Sequence, residues 1–340
     1  SCLIISCRYL AADEKFLGKI PFFLETAMNR DSAGFFMVIA RIGSLRPPLF
    51  PGSYSYPSET NTFNLAVRCT MTPIDTYAEV LGEIQSLYRS RLQIQTLLSL
   101  LEKKRTLSEL REITGSTSQA LIPKIRRLES ANYIGIRDYQ YHLTPIGRIL
   151  AGKIRDLILF QAVITRHKQF WADHYPGGIP EPFLSRIGML SEADIVSDTG
   201  KDVFNVFLNF LKSIKEAEKI RILSPISSPA HMDAVVKRVE EGIPVELVVG
   251  RELAEKFHQS PYVEMVQELA GKAGSSIRVA DTPLKIGLCM TDKCILLGLY
   301  RNDMTTYDNT SCLSGTDENA IAWGEQVFEH YRGISTELTF

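Results

Sequence analysis

The six cysteines, Cys2, Cys7, Cys69, Cys289, Cys294 and Cys312, include no Cys-x-x-Cys pair, and no histidine stands near them at zinc-finger spacing. No metal site is therefore assigned, and reduced thiols in a cytoplasmic protein are the default reading. Cys289 and Cys294 flank a turn, so a redox switch is conceivable, although buried strand thiols are commoner. Gly-x-Ser-x-Gly, the P-loop, His-Glu-x-x-His and the dinucleotide fingerprint are all missing, so no catalytic residue and no cofactor is assigned. The apolar run Gly34-Phe-Phe-Met-Val-Ile-Ala40 is too short to span a bilayer and lacks a signal-type cleavage site, which argues against a membrane partner. An excess of one charge is missing too: 38 basic residues face 39 acidic ones, for a formal net charge of -1. With a pI near 6.6 a histone-like binder is excluded, but a chain with a local cationic surface is not.

What is present is an ordinary globular composition, 45% hydrophobic and 23% charged, in 340 residues, enough for at least two domains. The organising stretch runs from Arg105 to Ile134. Leu107, Leu110 and Ile113 make a short helical stripe that ends at Gly115, where a left-handed residue is cheap. Ser116-Thr-Ser-Gln119 offers hydroxyl caps with a glutamine at capping-box spacing. A second helix carries Leu121, Ile125 and Leu128 on one face. Between Lys103 and Arg127 seven cations (Lys103, Lys104, Arg105, Arg111, Lys124, Arg126, Arg127) face two acids, Glu109 and Glu112. Two short helices about a tight turn, the second edged with cations, describe a helix-turn-helix that would place its second helix in the major groove of double-stranded DNA.

Residues 133–143 then read as two strands around a polar turn near Asp138, the wing of a winged helix. Its tip, with Arg137 and Tyr139, would reach phosphate or the minor groove. Pro123 lacks an N–H and either kinks the recognition helix or delays its start. Base reading then falls to Ser116, Ser118 and Gln119, with Thr117 beside them and Ile122 facing a thymine methyl. Arg105, Lys124 and Arg127 are expected to hold phosphates.

On the N-terminal side, residues 1–70 fit the rest poorly, and Pro/Ser/Tyr-rich residues 46–58 have no period. They are read as an extension, possibly not native, with Met71 as the natural start. Beyond Met71, Ile74, Tyr77, Leu81, Ile84, Leu87 and Tyr88 form one helical stripe, and Ile94, Leu97, Leu98 and Leu101 the next. Thr144-Pro145 starts a further helix, N-cap and first position in turn. It carries Ile146, Ile149, Leu150, Ile154, Leu157 and Ile158 and becomes apolar nearly all round at 157–164. Either a symmetry mate in a homodimer or the C-terminal domain covers it.

Tyr175-Pro-Gly-Gly-Ile-Pro-Glu-Pro182 marks the domain boundary. Strands at 220–223, 245–249 and 277–279, helices at 230–241, 251–273 (broken at Pro261) and 317–331, and a hairpin of 285–291 with 294–300 follow. The expected fold is thus mixed, α+β and α/β. A winged helix-turn-helix (71–144) is joined by a linking or dimerisation helix (145–182) to a C-terminal mixed-sheet domain (183–335). Ligands in such sheets sit over strand C-termini, which nominates Ser227, Ser228, His231 and Arg251, around Ser224 and Gly250, as holders of a small anion. Asp303, Tyr307 and Asp308 are placed similarly. For any single one of these residues, helix capping is the blander account.

Leu143-Thr-Pro-Ile-Gly-Arg148, Gly177-Gly-Ile-Pro-Glu-Pro-Phe-Leu-Ser-Arg-Ile-Gly-Met-Leu190 and Ile222-Leu-Ser-Pro225 together resemble archaeal transcriptional regulators that combine a winged helix with an effector domain of the methanogenesis-regulatory-protein type. The resemblance spans roughly Leu92 to Tyr331 and implies a DNA-binding regulator with a possible small-molecule effector. The C-terminal layout also resembles a phospholipase-D-like half-domain, but residues 285–292 hold no His-x-Lys, so phosphodiesterase activity is not expected. The alternative is a winged-helix protein-interaction scaffold with a degenerate enzyme-like domain.

Overall fold

A computed structural model describes residues 71–338 and, at the level of backbone, Val38–Ile39 and Asn64–Leu65. The reading of 1–70 as an extension otherwise lies outside the described residues. The chain divides into two compact units, Ser1–Ser86 and Leu87–Phe340. In the first, β1 (Val38–Ile39) pairs antiparallel with β2 (Asn64–Leu65). Next comes α1 (Pro73–Tyr88), which runs just past the division. The stripe expected on α1 is helical and exposed at Ile74 (78%), Tyr77 (52%) and Tyr88, whereas Leu81 and Ile84 are half-buried and Leu87 is buried.

The second unit opens with α2 (Arg91–Glu102), α3 (Leu107–Thr114) and α4 (Ser118–Ser130), followed by a hairpin of β3 (Ile134–Arg137) and β4 (Gln140–Leu143). Leu97, Leu100, Leu110, Leu121, Ile125, Leu128, Ile134 and Leu143 close one core. Local chemistry sets each boundary. Gly115 takes φ 59 and passes its N–H to carbonyls of α3, and Asn132 takes φ 58 beyond α4. The capping box is found one helix earlier than expected: Thr106 and Glu109 satisfy each other at the start of α3, whereas α4 is capped by Thr117 alone. Ile113 leaves the expected stripe and is 43% exposed; Thr114 is buried instead and its hydroxyl donates to the Leu110 carbonyl at 2.7 Å. Thr144 and Pro145 start α5 (Pro145–Arg166) as expected. A Cβ on Gly147 would stand 1.7 Å from the Tyr133 carbonyl oxygen, so α5 can approach the hairpin only through glycine.

The N-terminal part of α5 gives Ala151 and Ile154 to that core. Farther along, Val163 joins a second core, with Phe160 and Ile164 packed against it. The C-terminal domain of the same chain therefore covers part of the all-apolar segment. Ile146, Ile149 and Leu157 remain 53%, 69% and 48% exposed. After α6 (Lys168–Asp173) the expected boundary at 175–182 is no free linker. β5 (His174–Tyr175) pairs with a sheet strand, the Tyr331 hydroxyl donates to the Gly178 carbonyl at 2.8 Å, and Trp323 Nε1 donates to the Phe183 carbonyl at 3.0 Å.

The sheet order is β13-β9-β8-β7-β10-β11-β12-β6, with β5 against β11. Here β6 is Asp194–Ser197, β7 Ile220–Ser224, β8 Val245–Val249, β9 Ser276–Ala280, β10 Ile286–Thr291, β11 Ile295–Arg301, β12 Ser311–Gly315 and β13 Ser335–Glu337. Only the β7–β8 and β8–β9 pairs are parallel; β7 and β8 are nearly continuous apolar runs because both faces are covered. The short helix α7 (Glu181–Leu184) and α12 (Glu318–Gly333) lie on the face that also meets the end of α5. The other face carries α8 (Asn205–Lys215), α9 (Pro229–Glu240), α10 (Arg251–Phe257) and α11 (Tyr262–Ala270). The helix expected at 251–273 is thus two helices, parted near Pro261. Arg221 on β7 is only 7% exposed and is held by Glu246 at 2.8 Å, Glu329 at 3.1 Å and Glu325.

Candidate nucleic-acid face and effector cavity

α4 buries Leu121, Ile125 and Leu128, and at 100° per residue the opposite side carries Gln119, Pro123, Arg126 and Arg127. The helix is continuous through Pro123. The missing N–H thus lies on the outer side, where water can satisfy the freed Gln119 carbonyl. Gln119, Thr117, Arg126 and Arg127 are exposed, whereas Ser116, Ser118, Ile122 and Lys124 are half-buried on the flanks. Among the described residues, Lys104, Arg111, Lys124, Arg126 and Arg127 have no acidic partner in the ion pairs of this region, which are Lys103–Glu109, Arg105–Glu102, Arg105–Glu109 and Arg137–Asp138.

Arg105 departs from its expected role. Its side chain is 13% exposed, with Glu102 at 2.6 Å and Glu109 at 3.9 Å. Its backbone bridges Tyr141 in β4 through bonds of 3.1 and 2.8 Å. It ties α3 to the hairpin, and its charge is matched within the chain. Sequence reasoning passed over Glu102, one residue outside the stretch whose charges were tallied. It also omitted Arg126 from the candidate contacts, although Arg126 shares the outer face with Gln119. At the hairpin tip Tyr139 is 90% exposed. Asp138 and Tyr139 both take positive φ, 52 and 59, the signature of a two-residue type I′ turn made here without glycine or asparagine.

In the sheet domain a cavity of about 720 Å³ lies between α8, α9 and the face of β7, β10, β11 and β12. Ser227, Ser228 and His231 line it, and so do Tyr307 and Asp308. Arg251 does not: it stands exposed at the first position of α10, outside the lining. Asp303 is likewise outside, occupied in its own turn with the Thr305 and Thr306 amides, both at 2.8 Å. Ser228 caps α9 and its Oγ lies 2.7 Å from His231 Nδ1. Burial between Phe207 and Phe210, 4.7 and 5.0 Å away, holds the His231 pKa below its ordinary value.

Tyr307 rests over the cross-strand glycine pair Gly287 and Gly298; a Cβ at either would come within 2.0 or 2.1 Å of its hydroxyl. Burial pushes the Tyr307 hydroxyl pKa up and the Cys312 thiol to about 12. Cys289 and Cys312 line the cavity as buried thiols, and Cys294 is buried as well. Burial also raises Asp308, but bonds from Thr310, His174 and Ser311 outweigh it and leave the carboxyl below its usual range.

Residues 81–161 match the N-terminal domain of the methanogenesis regulatory protein FilR1, and residues 203–333 match its middle domain. The two matches follow one another in order and together take in more than half of the chain. The chain belongs to the FilR1 regulatory-protein family. Methanogenesis regulatory protein FilR1 of Methanothrix harundinacea (strain 6Ac) is 24% identical over 252 residues, which make up 73% of this chain and 56% of that protein. The chain thus spans little more than half the length of that relative. Two solved structures align less closely. TrmBL2, an archaeal chromatin protein whose structure is described as showing a novel mode of DNA binding, is 14% identical over 77% of this chain and 100% of its own, at a TM-score of 0.34. Phosphatidylserine synthase of Haemophilus influenzae Rd KW20 is 16% identical over 43% of this chain and 39% of its own, at 0.31. Neither score is high enough to say anything of this fold or its chemistry. The FilR1 N-terminal domain coincides with the cationic α3–α4 unit and its hairpin, and the FilR1 middle domain takes in most of the cavity lining.

Proposed function

We propose that this FilR1-family chain is a DNA-binding transcriptional regulator that reads double-stranded DNA with a winged helix (71–144) and is adjusted by its C-terminal domain (183–335). The observation that carries the reading is the outer face of α4: exposed Gln119, Arg126 and Arg127, with Lys124 at its edge and, among the described residues, no acid in an ion pair with these cations. Unpaired cations beside an exposed amide are what groove recognition uses, charge for phosphates and amide for bases. A protein-interaction scaffold does not need that charge to stay free.

The C-terminal domain acts here as a regulatory unit. Its β10–β11 hairpin carries no His-x-Lys, so a phospholipase-D-like half-domain layout would be a catalytically silent one. Among the described residues no helix is long and apolar enough to cross a membrane, which fits action on cytoplasmic DNA. The exposed stripe Ile146, Ile149 and Leu157 on α5 fits burial by a second copy, and a homodimer would present two recognition helices to an inverted-repeat site. The deciding experiment is a mobility-shift titration of the purified chain against its own upstream duplex across salt concentrations. Affinity that falls steeply with salt supports the reading; absence of salt-sensitive binding to any duplex refutes it.

A further inference from the structure

The cavity between α8, α9 and the sheet is large enough for a drug-sized molecule. Phe207, Phe210, Val235, Leu253, Phe257 and Leu296 give it an apolar wall. Among the described residues that line it none is Lys or Arg, and the only charged ones are Asp198 and Asp308. Both carboxylates are already engaged. Asp198 accepts the Val206 amide at 2.9 Å at the start of α8. Asp308 is met by His174 at 2.9 Å and Arg301 at 3.0 Å. An anionic ligand would therefore lose its hydration and gain no cation, a large penalty in an apolar enclosure. The small anion expected from sequence does not suit this lining.

Besides the exposed Asn309 carboxamide, two polar groups in the lining are free to meet a ligand. The Tyr307 hydroxyl, placed over Gly287 and Gly298, has no hydrogen-bond partner among the described residues. His231 is kept neutral by burial, and its Nδ1 is occupied by Ser228 Oγ. Ser228 Oγ accepts the His231 amide at 3.4 Å; we assign its own proton to Nδ1, which puts the ring proton on Nε2. A hydroxyl and an N–H thus remain for an oxygen acceptor. Exposed Val203, Phe204 and Ala230 rim the mouth.

We infer that this cavity is a binding site for an uncharged, largely apolar small molecule bearing a neutral oxygen acceptor such as a carbonyl, met by Tyr307 and His231. The inference rests on reading the domain as the regulatory half of the chain, but its test involves no DNA, so failure of duplex binding leaves the result untouched.

The test titrates the full chain with prodan, an uncharged naphthyl ketone whose emission reports polarity and hydrogen bonding, and with the anionic anilinonaphthalene sulfonate. Prodan is expected to bind saturably at one site with blue-shifted emission, and the sulfonate about tenfold more weakly or worse. Ala230→Trp, a surface change at the mouth, should abolish prodan binding. Tyr307→Phe, which keeps the ring and removes the hydroxyl, should weaken it about 3- to 10-fold. Equal or tighter binding of the sulfonate, no saturable prodan binding, or binding untouched by Tyr307→Phe overturns the proposal. If Ala230→Trp fails to fold, the probe comparison on the native chain and the isosteric Tyr307→Phe still decide.

Discussion

His174 Nε2 lies 2.9 Å from Asp308 Oδ2, two side chains each 3% exposed and separated by 134 positions in sequence. His174 sits directly after α6, and its Nδ1 faces the Phe170 carbonyl at 2.7 Å. Asp308 lies on the loop between β11 and β12 that also supplies Tyr307 to the cavity. The pair ties α6 to the rim of the cavity, and Asp308 further accepts from Thr310 and Ser311 at 2.6 and 3.1 Å.

Asp308→Ala should therefore be severe, by about 3 kcal/mol in chemical denaturation, because it leaves the buried His174 ring and the Thr310 and Ser311 hydroxyls without their acceptor. The folded pKa of Asp308 is depressed. Its stabilisation is thus present above the unfolded carboxylate pKa and is lost as pH falls through the folded value. Melting curves from pH 7 down to about pH 3 should show that acid loss in the native chain and less of it in Asp308→Asn. An Asp308→Ala chain as stable as the native one would contradict this.

Arg221 presents a comparable case on the other face of the sheet. It is 7% exposed, lies 5.2 Å from the Phe328 ring centroid, and gathers Glu246, Glu325 and Glu329. Arg221→Met, which keeps the stem but removes the charge, leaves Glu325 without its cation and Glu246 and Glu329 with only the more exposed Lys219 and Arg332. We expect a loss of about 3 kcal/mol in urea unfolding, with the midpoint partly restored by Glu246→Gln in the same chain. A neutral single variant would show that solvent already screens the cluster.

The elements bounded by local chemistry were legible in the sequence. Thr144-Pro145 and Gly115 act within one turn of themselves, so α5 and the end of α3 fall where the residues put them. β6, β12 and β13 were not legible. β12 reads Ser-Cys-Leu-Ser-Gly, with no strand pattern, and exists because β11 and β6 hydrogen-bond to it from either side. α8 was within reach: Val206, Phe210 and Ile214 repeat every four residues. Without α8 the cavity has no roof. Its polar end was legible only in part, since the strand-end rule finds Ser227 and His231 but not the slot that Gly287 and Gly298 open for Tyr307. That slot depends on the cross-strand register of two glycines, a property of pairing and not of either segment.

The hairpin tip should trade stability against binding. Asp138 and Tyr139 hold φ of 52 and 59, a conformation that costs a non-glycine residue roughly 1 kcal/mol. Replacing the pair with Asn-Gly should stabilise the chain by about that amount. It should also weaken duplex binding, because the ring of Tyr139 is lost from the tip. Thermal melts and mobility shifts on one preparation test both halves. Stabilisation with unchanged affinity would remove Tyr139 from the contact surface.

Ile149→Asp probes the exposed stripe on α5. Ile149 is 69% exposed, so the folded monomer should lose little stability. If a second copy covers the stripe, a buried unpaired carboxylate should split the assembly, and sedimentation equilibrium should shift from dimer to monomer. The apparent affinity for a two-half-site duplex should fall with it, while a single half-site is bound as before. Sedimentation unchanged from the native chain would mean that the stripe is not the dimer contact.

The sharpest prediction separates two residues on one helix. Gln119 lies exposed on the outer side of α4 and Lys124 half-buried on its flank; on the proposed reading the amide meets an adenine edge and the ammonium a phosphate. Gln119→Ala should cost about 1–3 kcal/mol on the preferred site and little on random duplex, so the preference narrows. Lys124→Ala should weaken every duplex alike and reduce the slope of log affinity against log salt by about 1, the release of one counterion. Arg126→Ala, on the same outer face as Gln119, should combine both effects. Arg105→Ala should change folding stability in place of the salt slope, because Glu102 and Glu109 already neutralise that side chain. Equal, sequence-blind losses at positions 119 and 124 would mean that α4 follows the backbone and does not read the groove, and a reduced salt slope in Arg105→Ala would return that residue to the phosphate contacts.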